Sequence, residues 1–150
     1  MITTQDIKAL REETGLSITE CQKALEAAGG DKSKAISLLK ERGAEIAIKK
    51  GDRTLGAGTI TSYIHTGETV GAMVELLCET DFVAKNLEFR SVAHDIAMHV
   101  AAMNPPDTQE LLNQPFIKDA GRKVGDMINS AIQKFGERIE LGHFVRFSIN

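Results

Sequence analysis

Val70-Gly71-Ala72-Met73-Val74-Glu75-Leu76-Leu77-Cys78-Glu79-Thr80-Asp81-Phe82-Val83-Ala84-Lys85-Asn86 decides how the rest of the chain is read. Its first nine residues alternate. Val70, Ala72, Val74, Leu76 and Cys78 share one face, because successive side chains of a strand point to opposite sides of a sheet. After Glu79 the pattern changes. Thr80 can cap a helical turn that starts at Asp81, its hydroxyl accepting an otherwise unpartnered backbone N–H. A rigid strand thus hands over to a short helical turn, with an acid and an aromatic at the corner. Residue chemistry leaves two readings of Phe82. It folds inward, as most phenylalanines do, or it projects with Asp81 as a probe for a partner protein.

Working outward, Ile60, Ser62 and Ile64 alternate with Thr59, Thr61, Tyr63 and His65. Thr66-Gly67-Glu68 supplies a turn, so this run pairs with Val70–Cys78 as a hairpin. A closing strand alternates Leu141, His143, Val145, Phe147 and Ile149 with Gly142, Phe144, Arg146 and Ser148. Two helices lie between. Phe89, Val92, Ala93, Ile96, Val100 and Met103 repeat at helical spacing until Pro105-Pro106. Val124, Met127, Ile128, Ala131, Ile132 and Phe135 do so over residues 119–135, until Gly136. Strands and helices are segregated rather than alternating. The expected architecture is α+β: a small three-stranded antiparallel sheet with helices on one face. The other face must be solvated, covered by a second copy, or docked on a partner.

Before Gly51 three short helical patterns precede this core. Thr3 or Thr4 caps the first, which carries Ile7 and Leu10 and ends at Thr14-Gly15-Leu16. Ser17 and Glu20 form an S-x-x-E box opening the second, whose stripe is Ile18, Cys21, Ala24, Leu25 and Ala28. Gly29-Gly30 stops it, Asp31 caps the third, and Gly43 is expected to close that one. Residues 44–53 read as a helical extension and hinge, with a break at Gly51-Asp52. The predicted units are therefore 1–52, a three-helix module plus hinge, and 53–150, the α+β core.

Composition narrows the function. The 150 residues are 42% hydrophobic and 26% charged, an ordinary globular mix. Net charge is −3, and the acidic excess falls after residue 50, so no basic field points to direct nucleic-acid binding. No apolar run approaches the length of a membrane span, and the start of the chain lacks a signal peptide's apolar core. Cys21 and Cys78 have no metal-ligand spacing and read as buried, reduced thiols. His65, His94, His99 and His143 are scattered, and Glu75 and Glu79 read as solvated carboxylates. Phosphate-binding glycine loops, the zinc motif H-E-x-x-H and the nucleophile motif G-x-S-x-G do not occur. These observations favour a binding protein with no cofactor over an enzyme.

The run Thr80-Asp81-Phe82-Val83-Ala84-Lys85-Asn86 resembles the signature of the elongation factor Ts family. Leu10-Arg11-Glu12-Glu13-Thr14-Gly15, Cys21-Gln22-Lys23-Ala24-Leu25, Tyr63-Ile64-His65, Ile96-to-Ala102, Gln114-Pro115-Phe116 and Phe144-Val145-Arg146-Phe147 extend the likeness over most of the chain. Gln22 stands where the family commonly has lysine, Arg138 where asparagine is usual, and Gly142-His143 in place of an arginine pair. Longer members contain two related core halves and an inserted helical hairpin. Here one half is present, and Pro105 leads almost directly to Gln114.

The resemblance implies a ubiquitin-associated-like helical module and a cytoplasmic guanine-nucleotide exchange factor acting on elongation factor Tu. It implies that Thr80, Asp81, Phe82 and Val83 meet the GTPase, with Phe82 wedging between its helices and disturbing its Mg²⁺ and phosphate site. That Mg²⁺ belongs to the partner. Leu16, Ile18 and Lys23 would grip the GTPase at a second point, and His65 at a third. A single core half implies a homodimer in which a second copy supplies the missing half. An adaptor for ubiquitin-like ligands, or an RNA-binding translation accessory, is the alternative.

Overall fold

The computed structural model describes residues 1–149. Local signals set the first three helices. Helix α1, Thr4–Thr14, starts at a capping box in which Thr3 and Asp6 bond reciprocally. Helix α2, Ile18–Ala27, starts at the equivalent box of Ser17 and Glu20. Gly15, at φ 71°, makes the left-handed exit from α1 that a side chain would strain. Helix α3, Lys32–Lys49, is capped by Asp31. Leu10, Leu16, Cys21, Leu25, Ala35 and Leu39 close a small core among the three.

Gly43 does not end α3, as the sequence led us to expect. It sits buried inside an 18-residue helix. Its missing side chain lets α3 approach a later helix: a Cβ there would lie 3.2 Å from Gln133 Oε1 and 3.4 Å from the Asn129 carbonyl oxygen. Beyond Gly43, Ile46 and Ala47 pack on the core that follows, so α3 belongs to both units.

Strands β1, Ala57–Ile64, and β2, Val70–Cys78, form the hairpin read from the sequence. A short helix α4, Asp81–Ala84, follows at once, then α5, Leu87–Met103, which Asn104 ends in a left-handed cap before Pro105. The segment after Pro106 contains more structure than expected. Asp107 caps a short helix α6, Thr108–Asn113. Pro115–Phe116 (β3) then pairs with Asp119–Lys123 (β4). The expected helix over 119–135 therefore begins only at α7, Val124–Phe135. Asp119 bonds back to the Gly121 N–H, and Asp126 receives the Lys123 N–H, so the polar residues 119–123 turn before the helix can start.

Strand β5, Glu140–Ser148, completes an antiparallel sheet of order β1-β2-β5. Ala72, Val74, Leu76 and Cys78 meet α5 and α7 on one face, in a core with Phe89, Ile96, Val100, Ile128 and Ile132. The alternation expected for β5 is broken. Val74 pairs with Phe144 but Leu76 with Leu141, so Gly142 and His143 together oppose Glu75. This bulge returns Leu141 to the core side beside Phe144 and leaves His143, Val145 and Phe147 outside. The outer sheet face is uncovered and apolar: Ile60, Ile64, Met73, Val145, Phe147 and Ile149 are exposed. Among the described residues, no helix is long and apolar enough to cross a membrane.

Candidate functional site

At the end of β2 the chain forms a corner held from both sides. Thr80 Oγ1 accepts the Val83 N–H at 3.4 Å, capping α4. Cys78 Sγ donates to the Thr80 carbonyl oxygen at 3.3 Å. Burial pushes the Cys78 thiol up, so it stays protonated and keeps that donor. The loop between α7 and β5 supplies the second clamp. One Glu137 carboxylate oxygen accepts the Glu79 and Thr80 N–H groups, both at 3.1 Å, and the other accepts the Thr80 hydroxyl at 2.6 Å. In exchange Glu79 accepts the Arg138 N–H at 2.6 Å and faces Arg53 at 3.5 Å. Arg138 donates to the Arg53 carbonyl at 2.5 Å.

Inside this frame Val83 and Ala84 are buried, while Phe82 is 84% exposed. Phe82 therefore does not fold inward; its ring stands out from the surface. Asp81 and Thr80 are exposed beside it. Val83 faces the core, so its side chain seats the corner rather than reaching a partner. The Asn86 carboxamide caps α5, accepting from Glu88 N and Phe89 N, and anchors the far side.

The helical module adjoins the corner. Lys134, at the end of α7, pairs with Glu88 at the start of α5. Its Nζ lies 3.2 Å from where a Cβ on Gly15 would stand. Gln133 donates to Glu20 at 3.3 Å. The Gly15 loop and the strand-to-helix corner are therefore neighbours on one side of the molecule. Ile18, the first residue of α2, is exposed, but Leu16 in the loop is buried in the module's own core and cannot present its side chain. Lys23 is exposed on α2. Five helical residues after Ile18, it is turned roughly 140° around the axis from it.

His65 lies elsewhere. It is exposed at the hairpin turn, hydrogen-bonded to the Tyr63 hydroxyl at 3.0 Å. The full length of β2, roughly 26 Å, separates it from the corner. Nor are Glu75 and Glu79 merely solvated, as the sequence led us to read them. Glu75 accepts the His143 N–H at 2.8 Å and its ring nitrogen at 2.7 Å, and these bonds hold its carboxyl below the ordinary range. The residues missed from the sequence are Glu137 and Arg138. Their one signal was the unusual arginine at 138; nothing local links them to residues 79–80, nearly 60 positions away.

A rigid corner that displays one exposed aromatic, next to a small helical module, is a surface shaped for contact with another macromolecule. The family model described as elongation factor TS matches residues 79–150. The elongation factor Ts of Thermodesulfovibrio yellowstonii is 41% identical over 192 aligned positions, covering 99% of this chain and 96% of that protein. Those of Moorella thermoacetica and Desulforamulus reducens are 37% and 36% identical, each over 99% of this chain and over 96% and 89% of their own lengths. The chain belongs to the elongation factor Ts family, non-enzymatic exchange factors of translation. An alignment of 192 positions against 150 residues leaves at least 42 positions with no residue of this chain opposite them.

Proposed function

We infer that the chain speeds release of GDP from elongation factor Tu in the bacterial cytoplasm, using Phe82 as its probe. The observation that carries this reading is a large aromatic, 84% exposed, on a turn clamped by Thr80 and Glu137. Holding the ring in place before contact lowers the ordering cost of binding. A buried aromatic is the kind of residue in which interface energy concentrates. Inserted between helices of the GTPase, Phe82 displaces groups that order the Mg²⁺ and phosphate site, and Asp81 contacts the same region. Linkage then requires GDP to weaken the factor as much as the factor weakens GDP. Each tenfold loss of nucleotide affinity takes about 1.4 kcal/mol of differential contact.

The helical module, residues 1–52, forms the second grip through Ile18 and Lys23, and the core, 53–150, carries the probe. The test is release of fluorescent GDP from elongation factor Tu with wild-type chain and with Phe82→Ala. Wild type should accelerate release, and Phe82→Ala should lose most of that effect while melting at an unchanged temperature. Absence of acceleration, with tight binding to a ubiquitin-like protein or salt-dependent binding to RNA, would instead support an adaptor or an RNA accessory.

The open sheet face supports a second element of this reading, a homodimer. Five large apolar side chains from three strands, and Ile149 just beyond β5, lie on it without a covering layer. A two-fold pair would bury the same patch from each copy, and a stable interface needs about 1,000 Å² or more. Sedimentation should give twice 16.3 kDa. Phe147→Lys, which puts a charge on the patch, should give the monomer.

A further inference from the structure

Leu87 contributes nothing to the fold that the helix needs. It is the first residue of α5 and 81% exposed. Asn86 makes the cap bonds, and Phe89 makes the core contact. The first helical turn favours proline or an acid, so a leucine there serves no local purpose. One exposed leucine is ordinary, but this one has company. Phe82 stands five residues earlier, across a corner of a single helical turn. The backbone rise keeps the two within about 12 Å. On the other side Glu88 pairs with Lys134, which lies against Gly15, and two residues beyond Leu16 is Ile18, 56% exposed. Phe82, Leu87 and Ile18 are thus three exposed apolar side chains on segments that meet where the corner adjoins the helical module. Glu88, the residue after Leu87, and Lys134 neutralise each other, and Arg90, one turn along α5, donates to the Ala84 carbonyl at 3.3 Å.

We propose that Leu87 is the middle anchor of one continuous contact with the GTPase, joining the Phe82 probe to the Ile18 loop and setting affinity rather than the rate of release. This rests on the exchange reading above. A wedge that acts only as nucleotide leaves changes the maximal rate. An apolar contact made equally before and after nucleotide departure changes only the concentration needed.

The experiment measures GDP release from elongation factor Tu over a range of factor concentrations. Leu87→Ala should raise the half-maximal concentration about tenfold, the effect expected for withdrawing a buried leucine side chain from an interface. Its maximal rate should stay within about twofold of wild type, and its melting temperature should not move. Leu87→Met, which keeps the apolar area, should restore the half-maximal concentration. An unchanged half-maximal concentration for Leu87→Ala, with Phe82→Ala still slow, overturns the proposal and leaves the exchange reading standing. A Leu87→Ala chain that melts early places Leu87 in the fold and also overturns it. A wild-type chain that fails to accelerate release removes both.

Discussion

Glu137→Ala takes three hydrogen bonds from the corner at once: those from the Glu79 and Thr80 N–H groups and from the Thr80 hydroxyl. A hydrogen bond to a charged group contributes about 1.5–3 kcal/mol when well buried. Thr80 is exposed and Glu137 half-buried, so water replaces much of each bond, and about 0.5–1 kcal/mol apiece is the appropriate scale. The expected loss is about 2 kcal/mol, or a midpoint lower by roughly 4–8 °C in a chain of this size. Glu137→Gln keeps an acceptor without the charge and should lose about half as much. The variant should also exchange nucleotide more slowly, because a loosened corner must be reordered on contact. Ordering one such group costs on the order of 0.5–1.5 kcal/mol, roughly a twofold to twelvefold effect. Urea and thermal unfolding followed by circular dichroism, in parallel with fluorescent GDP release, read both quantities. A Glu137→Ala chain within 0.5 kcal/mol of wild type and fully active would refute the clamp, leaving the Thr80 cap and the Cys78 bond to hold the turn that carries Phe82.

Further outcomes follow from the packing. His99 is buried, accepting the Ile117 N–H at Nδ1 and donating from Nε2 to Gln114, and burial lowers its pKa below 6.5. The unfolded chain therefore takes up the proton first. Stability should fall as pH drops below about 6.5, by up to about 1.4 kcal/mol per unit, until the folded state also protonates. Urea unfolding at pH 7.5, 6.5 and 5.5 should show this for wild type but not for His99→Gln. Gly58→Ala places a Cβ 2.6 Å from the Leu76 carbonyl oxygen; it should cost about 2 kcal/mol or more in urea unfolding, since only backbone movement relieves the clash. Gly43→Ala should be near neutral, the tight approach to α7 offset by about 1 kcal/mol of helix propensity. Gly43→Val should cost about 1–3 kcal/mol, measured the same way, by forcing α3 off α7.

Much of the molecule was legible because its rules are local. The Thr3, Ser17, Asp31 and Thr80 caps each act within four residues, and strand alternation within two, so helix starts and the core face of β2 could be read directly. Asp107 and Glu110 carried the same kind of signal for α6, and it went unread behind Pro105-Pro106. The motif at residues 80–86 identified the family before any geometry was known. Gly43 shows where local reading stops. As a residue type it marks a helix end, yet here it marks a crossing, because Asn129 and Gln133 occupy the space a side chain would need. Leu16 and Ile18 look equally apolar along the chain, but only packing against Leu10 and Leu25 buries the first and leaves the second outside. The bulge opposite Glu75, the bare outer face of the sheet and the Glu137 clamp are likewise decided between segments far apart in sequence. The chain by itself determined which elements form and which family they belong to, since hydrogen bonds and side-chain period act over a few residues. Only the tertiary structure decided which of those side chains face outward, since exposure depends on what the rest of the chain has already covered.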